Sequence, residues 1–234
     1  SISNSHRPQP PAEQKTSFGT RMNGFSTDCR KCGRLAQFLE NVRCAHPDYF
    51  AKPVPPFGDP NARLLIVGLA PGMHGANRSG RPFTGDHAGV LLYRTLHKFG
   101  FANRPVSTSI DDGLCLVSSR ITNAVKCLPP ENKPEHREIR QCNPYLQAEL
   151  QALPADAAIL ALGGIAHKAV LMATGEKAAK FKFAHGARHS LTRGLTLFNS
   201  YHCSRYNTQT RRLTEEMFEQ IFRAIEDFLR KAPG

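Results

Sequence analysis

Short apolar runs recur along the chain, and loops and amphipathic segments separate them. Four stretches have the length and composition of buried strands, at 63–67, 118–125, 157–162 and 195–201. Apolar runs without a polar alternation are typical of parallel strands, which are covered on both faces. The alternation of strands with helices predicts an α/β fold around a central, mainly parallel four-stranded sheet.

Helical spacing of apolar residues marks the segments between these strands. It begins just after Cys32 and predicts further helices over 89–99, 135–152, 163–172 and 213–231. The last has a continuous apolar face, with Thr214 as its N-cap and acidic residues in its first turn. The polar, Pro- and Ser-rich residues 1–26 are predicted to form a flexible arm, and 27–234 a single domain.

The loop over 68–89, which follows the first strand, combines glycines and prolines with ionisable residues. Open α/β sheets bind ligands beyond the carboxyl ends of their strands. Glycine also lets the backbone adopt unusual conformations and lets a ligand approach closely. This central loop is therefore the predicted active site.

Charge and cysteine content narrow the function. The net charge of +12 and pI near 9.7 favour a polyanionic partner, nucleic acid first, although a merely basic protein would have the same balance. No apolar run approaches a membrane span. Seven cysteines without a visible export signal point to a reduced compartment, the cytoplasm.

Four of the cysteines have a spacing that suits metal binding. Cys29 and Cys32 form a C-x-x-C turn, and Cys127 and Cys142 flank the next Pro-rich loop and helix. Zinc and a four-iron cluster fit these ligands equally. Polar residues after other strands add to the candidate site: Asn123 and Asn132, and His202 with its followers Ser204, Arg205, Tyr206 and Asn207.

Several blocks together resemble the family-5 (B-type) iron–sulfur uracil-DNA glycosylases. They are the central loop, the four cysteines, Pro129–Pro134, His185–Ala187 and Ser200–Thr208. The resemblance implies a three-layer α/β/α fold, a structural [4Fe–4S] cluster (zinc being the alternative) and base excision repair. The implied reaction removes uracil, and also hypoxanthine or xanthine, from DNA and leaves an abasic site. It further implies a monomer that acts in the cytoplasm near the nucleoid.

The resemblance also assigns the chemistry. The base is flipped out of the duplex and stacks on Phe83. His202 donates a hydrogen bond to a base carbonyl as negative charge grows there. Asp86 stabilises the sugar cation or orients water, and Asn132 assists it.

The remaining site residues shape the pocket or contact DNA. The backbone of Gly68, Ala70 and Gly72 forms the pocket wall, without a polar side chain to activate water. Asn123 resembles the base-reading Asn of the family-4 enzymes and would favour uracil over purines. The proposed DNA contacts are Arg78, Arg205, Tyr206 and Asn207, and Arg81 is a further candidate for a phosphate contact.

Two other functions remain compatible with the residues alone. A damage-binding protein without catalysis would keep the basic surface and the metal site but would tolerate loss of Asp86. A small-molecule phosphate enzyme would use Gly68–Gly72 as an anion cradle, but no Lys-Ser or Lys-Thr follows as a P-loop requires.

Overall fold

The computed structural model describes residues 24–232. The helices are α1 (Gly33–Ala45), α2 (Ala76–Ser79), α3 (His87–Lys98), α4 (His136–Gln151), α5 (Gly164–Thr174), α6 (Arg205–Gln209) and α7 (Glu215–Lys231). The strands are β1 (Phe57–Gly58), β2 (Leu64–Gly68), β3 (Ser119–Asn123), β4 (Ala158–Leu162), β5 (Arg188–Ser190) and β6 (Thr196–Ser200). Of the predicted arm, residues 1–23 lie outside the described range.

The strands form one mixed sheet in the order β1-β3-β2-β4-β6-β5. The four central strands are parallel and correspond to the four predicted ones, because each carries a buried apolar run. The prediction of a four-stranded sheet is wrong, since β1 and β5 add antiparallel edges. Neither edge strand has an apolar run: β1 lies in a Pro-rich stretch and β5 reads Arg-His-Ser.

Helices cover both faces of the sheet, so the domain has three layers. Side chains of α3 and α7 pack with Leu64, Ile66 and Leu160 on one face. Side chains of α1, α4 and α5 pack with Leu65 and Val67 on the other. Alternate residues of one strand thus enter opposite cores, as the pleat of a strand requires.

The carboxyl ends of the parallel strands meet at one edge of the sheet. The central loop leaves β2 at this edge, and β3 and β6 end beside it. Among residues 24–232, no helix is both long and apolar enough to cross a membrane.

Candidate active site

Three predicted site residues meet where β2 and β3 end. Gly68 pairs with Asn123 in the parallel register. A Cβ at Gly68 would lie 2.5 Å from Asn123 Oδ1 and 2.6 Å from Phe83 Cζ. Because real Cβ atoms do not approach other atoms so closely, only glycine lets this amide and this ring converge.

Asn123 presents a buried acceptor to this pocket. Its side chain is 3% exposed, and Oδ1 has no hydrogen-bond partner within the described residues. Lys126 Nζ donates to the Asn123 carbonyl oxygen at 2.7 Å, which fixes the strand end. A buried acceptor without a donor costs free energy unless a ligand supplies one. Lys126 has no signal in the sequence, because its partners Thr122 and Glu149 become neighbours only in the fold.

Phe83 holds its ring against His202. Their ring centroids are 5.9 Å apart with an interplanar angle of 29°. Phe83 is 6% exposed, and its φ of 56° lies in the left-handed region that non-glycine residues avoid. Such strain persists only where the surroundings impose it, and it is concentrated at functional sites.

Asp86 occupies the N-cap position of α3, yet its side chain does not cap the helix. Oδ2 instead accepts a hydrogen bond from the Ala76 N–H at 3.1 Å. A Cβ at either Gly72 or Gly75 would collide with the carboxylate, so these glycines leave the room that it fills. Burial raises the pKa of Asp86, and the Ala76 N–H opposes this only in part.

The sequence gives no indication that the Ala76 N–H binds Asp86. It belongs to the short helix α2, for which the central loop gives no apolar periodicity. Gly72 O accepts hydrogen bonds from the N–H groups of Gly75 and Asn77, which closes this turn around the carboxylate.

His202 follows β6 and faces the same pocket. Burial lowers its pKa to about 4, so the imidazole is neutral near pH 7. Asn207 Nδ2 donates to the His202 carbonyl oxygen at 2.8 Å, and Ser204 Oγ caps α6 by accepting from the Asn207 N–H. Asn207 therefore holds the His202 backbone in place.

For two further predicted site residues, Asn132 and Ala70, the described part of the chain shows no hydrogen bond to this cluster. Asn132 ends the exposed turn Pro130–Asn132 with a φ of 57°, and its side chain makes no hydrogen bond within the described range. Ala70 is partly exposed and packs against the core beneath α1, α4 and α5.

The residues predicted to contact DNA are mostly on the surface. Arg205 and Tyr206 begin α6, and Tyr206 is 71% exposed. Arg78 is exposed and lies over the Tyr49 ring, 5.5 Å from its centroid. Arg81, which the sequence offered as a further phosphate contact, is buried and paired with Asp112, so that prediction is wrong.

The four predicted metal ligands line one cavity. Cys29, Cys32, Cys127 and Cys142 share it with Tyr145, whose hydroxyl lies 3.3 Å from Cys29 Sγ. Burial raises the pKa of the Cys32 thiol to about 11 and also raises those of Cys127 and Cys142. In the part of the chain that the structure describes, no group of three or more His, Cys, Asp or Glu residues is arranged to hold a metal ion.

Known proteins similar to this chain share one activity. Residues 55–226 match the Uracil DNA glycosylase superfamily. A type-5 uracil-DNA glycosylase of Thermus thermophilus is 48% identical, with 83% of this chain and 91% of that protein covered. Type-5 enzymes of Mycobacterium leprae and Pyrobaculum aerophilum are 44% and 42% identical and cover 86% and 84% of the chain. The alignments span 92% and 87% of those two proteins.

Proposed function

The chain belongs to the type-5 uracil-DNA glycosylases, and from this premise we propose how its site releases the base. The partly buried carboxylate of Asp86, which is turned away from its own helix, is the observation that carries the proposal. An N-cap aspartate normally stabilises its own helix. Here the side chain lies instead in a glycine-lined turn of the same loop that carries Phe83.

The proposed substrate is a deaminated base flipped out of DNA. Water attacks C1′ of the sugar as the N-glycosidic bond breaks, and the bonding electron pair leaves with the base. The released base takes up one proton, and the sugar keeps the hydroxyl of the water as an abasic site. Asp86, as the carboxylate, stabilises the cationic sugar and orients the water.

His202 supports the departing base from the other side. Its neutral ring donates one N–H to a base carbonyl oxygen, where negative charge accumulates. The base lies against Phe83, whose face stacks on it. Asn132 is proposed to assist at the sugar once DNA is bound, and the backbone of Gly68, Ala70 and Gly72 forms the wall of the pocket.

A duplex that contains a single uracil tests this function. We expect uracil release and alkali-labile strand breaks at that position, and none in a matched duplex with thymine. A damage-binding protein without catalysis would bind the duplex and leave it intact. The activity of the type-5 relatives does not favour that reading.

Asn123 is the proposed reader of the base. Its Oδ1 has no donor among residues 24–232, and uracil offers one in its N3–H, between two carbonyl groups. Hypoxanthine and xanthine carry an equivalent N–H, so they remain proposed substrates, but a two-ring base needs more room beside Phe83. Asn123 therefore favours uracil.

Asn123→Ala should lower uracil excision by about 10- to 100-fold, the cost of one lost hydrogen bond in a pocket built for it. Hypoxanthine excision should fall less, because the shorter side chain leaves space for a purine. The ratio of kcat/KM for the two bases measures this. Asn143→Ala, which removes a buried amide bound to Ala169 O on another helix, is the control. An equal loss for both bases would contradict the assignment.

The four cysteines are proposed to hold a [4Fe–4S] cluster. Thiolates are the ligands that such clusters use, and four thiols around one cavity suit a group in which each binds a different iron. A single tetrahedral zinc would need the four sulfur atoms within about 4 Å of one another. When bound, the group would tie α1 to the segment 127–142 and stabilise the fold.

Metal content tests the cluster directly. Purified protein should be brown and contain about four iron atoms per chain. Cys127→Ser should lose the visible absorption and melt at a lower temperature, whereas Cys44→Ser, at an exposed cysteine outside the cavity, should keep both. A colourless protein with one zinc would contradict the proposal.

The proposed DNA interface surrounds the pocket. Arg205 and Tyr206 reach outward from α6 next to His202 and would enter the gap that the flipped base leaves. Arg78 would contact a phosphate. We propose that the protein acts as a monomer in the cytoplasm, on the DNA of the nucleoid.

A further inference from the structure

The most constrained residue of the central loop lies two positions after a buried arginine. Phe83 has a φ of 56°, a left-handed backbone conformation that is strained for any residue other than glycine. A Cβ at Gly89 would overlap the Phe83 carbonyl oxygen, so α3 packs directly on this backbone. Other contacts must keep the loop in this conformation.

Arg81 is the centre of those contacts. Its side chain is 5% exposed, and that of Asp112 is 9% exposed. NH1 donates to Asp112 Oδ1 at 2.9 Å and to Ser107 Oγ at 3.0 Å, and NH2 donates to Ile110 O at 3.1 Å. The guanidinium also lies over the Phe57 ring, 4.3 Å from its centroid. A buried charge is tolerated only when it is paired and hydrogen-bonded in this way.

Asp112 anchors the far side of the pair. It accepts hydrogen bonds from the N–H groups of Thr108 and Leu114 at 2.8 and 2.9 Å. Burial raises the pKa of Asp112, but these N–H groups and Arg81 outweigh it and hold the value at about 2. The carboxylate is therefore charged at neutral pH.

The network continues from Arg81 to both neighbours of Phe83. Ser107 Oγ lies 2.6 Å from Thr84 Oγ1, and Thr84 Oγ1 donates to Pro82 O at 3.2 Å. The buried Tyr93 hydroxyl donates to Pro82 O at 2.6 Å, and Ser79 Oγ donates to Thr84 O at 2.9 Å. Hydrogen bonds thus hold Pro82 and Thr84, the residues on either side of Phe83.

We propose that Arg81 and Asp112 are a positioning pair, which holds Phe83 in the orientation that stacks on the flipped base before DNA arrives. This inference rests on the proposed function, in which Phe83 carries the base. It replaces the expectation that Arg81 binds phosphate. The orientation of the Phe83 ring before DNA binds matters because a misplacement of about 1 Å can lower the rate about 10²-fold.

Kinetics provide the first test. Arg81→Met should lower the single-turnover rate of uracil release by about 10- to 100-fold, with a smaller change in DNA affinity. Arg81→Lys should recover part of the rate, because it restores the charge but not the three contacts. Asp112→Asn, which keeps the shape and one acceptor, should lose less than Arg81→Met and remains informative if Arg81→Met does not fold.

Glu219→Gln is the matched control. Glu219 is also buried and accepts from Lys98 and Arg223, but it lies on α7 away from the pocket. We expect it to lower the melting temperature without changing the rate well below that temperature. Equal rate losses in Glu219→Gln and Asp112→Asn at equal fractions folded would overturn the proposal.

A fluorescence measurement without substrate separates this inference from the proposed function. The chain has no tryptophan, so Phe83→Trp introduces a single reporter at the stacking position. Adding Asp112→Asn should increase acrylamide quenching and lower the anisotropy of that tryptophan, whereas adding Glu219→Gln should not. Unchanged quenching would overturn the positioning role, even in an enzyme that releases uracil. If wild-type protein releases no uracil, the proposed function fails, while the quenching result still stands.

Discussion

Asp86→Asn should slow base release by about 10²- to 10⁴-fold and, at neutral pH, increase the free energy of unfolding. The rate falls because a neutral amide neither stabilises a cationic sugar nor draws a proton from water. The fold becomes more stable because the partly buried carboxylate is costly to ionise, since desolvation raises its pKa. Asparagine keeps the acceptor for the Ala76 N–H without that cost.

The stability gain should depend on pH with a defined sign. The pKa of Asp86 in the folded protein lies above its ordinary value near 3.8. Below that ordinary value the carboxyl is neutral in both folded and unfolded chains, so the substitution changes little. As the pH rises through the folded pKa, the wild type loses stability relative to the variant, and the difference then stays constant. Denaturant unfolding at several pH values measures it.

Asp59→Asn is the control for both effects. Asp59 likewise accepts a backbone hydrogen bond, from Ser118 N–H at 2.9 Å, but it lies before β2 and away from the pocket. It should keep the rate of the wild type. Wild-type activity in Asp86→Asn would refute the role of the carboxylate, and so would a rate loss that only matches a loss of folded protein.

His202→Ala should lower the rate of base release by about 10²- to 10³-fold, the usual effect of removing one donor to a developing negative charge. His202→Gln should recover part of this, since its amide also donates. Both variants should bind DNA that contains an abasic site nearly as well as the wild type does. Single-turnover kinetics and equilibrium binding measure the two effects separately.

The pH profile distinguishes a neutral His202 from a charged one. Burial lowers the pKa of His202 to about 4, so the ring is already neutral at pH 6 and does not titrate between pH 6 and 9. The rate should therefore not fall above pH 6.5, as it would if imidazolium were required. If the rate of base release falls at low pH, that fall should reflect protonation of Asp86 and should be absent in Asp86→Asn. His189→Ala, on the edge strand β5, is the control histidine.

The central strands and long helices were predictable because each carries its pattern locally. The run Leu64–Val67 is apolar throughout, and α7 repeats apolar residues at helical spacing between a threonine cap and a basic end. The edge strands β1 and β5 were not predictable. They are strands because each pairs with a neighbouring strand through backbone hydrogen bonds. Their own sequences carry no hydrophobic pattern that would predict this pairing.

The candidate site was likewise predictable from the sequence only in part. The order of Gly68, Phe83 and Asp86 within one loop, and of Asn123 and His202 after two other strands, places them at one edge once the sheet is parallel. Their assignment to base and sugar came from the resemblance to a family. The spacing of the cysteines suggested a shared site, and the cavity that they line agrees with it.

The sequence by itself determined the α/β layering, the position of the pocket at the strand ends and the residue types available there. Only the tertiary structure decided which groups act on one another. Asp86 turns away from its helix because the Ala76 N–H donates to its carboxylate and two glycines leave room for it. Arg81 is buried because Asp112, 31 residues later in the chain, pairs with it. Hydrogen bonds and burial depend on distances that chain order does not specify, so these roles emerge only when the chain is folded.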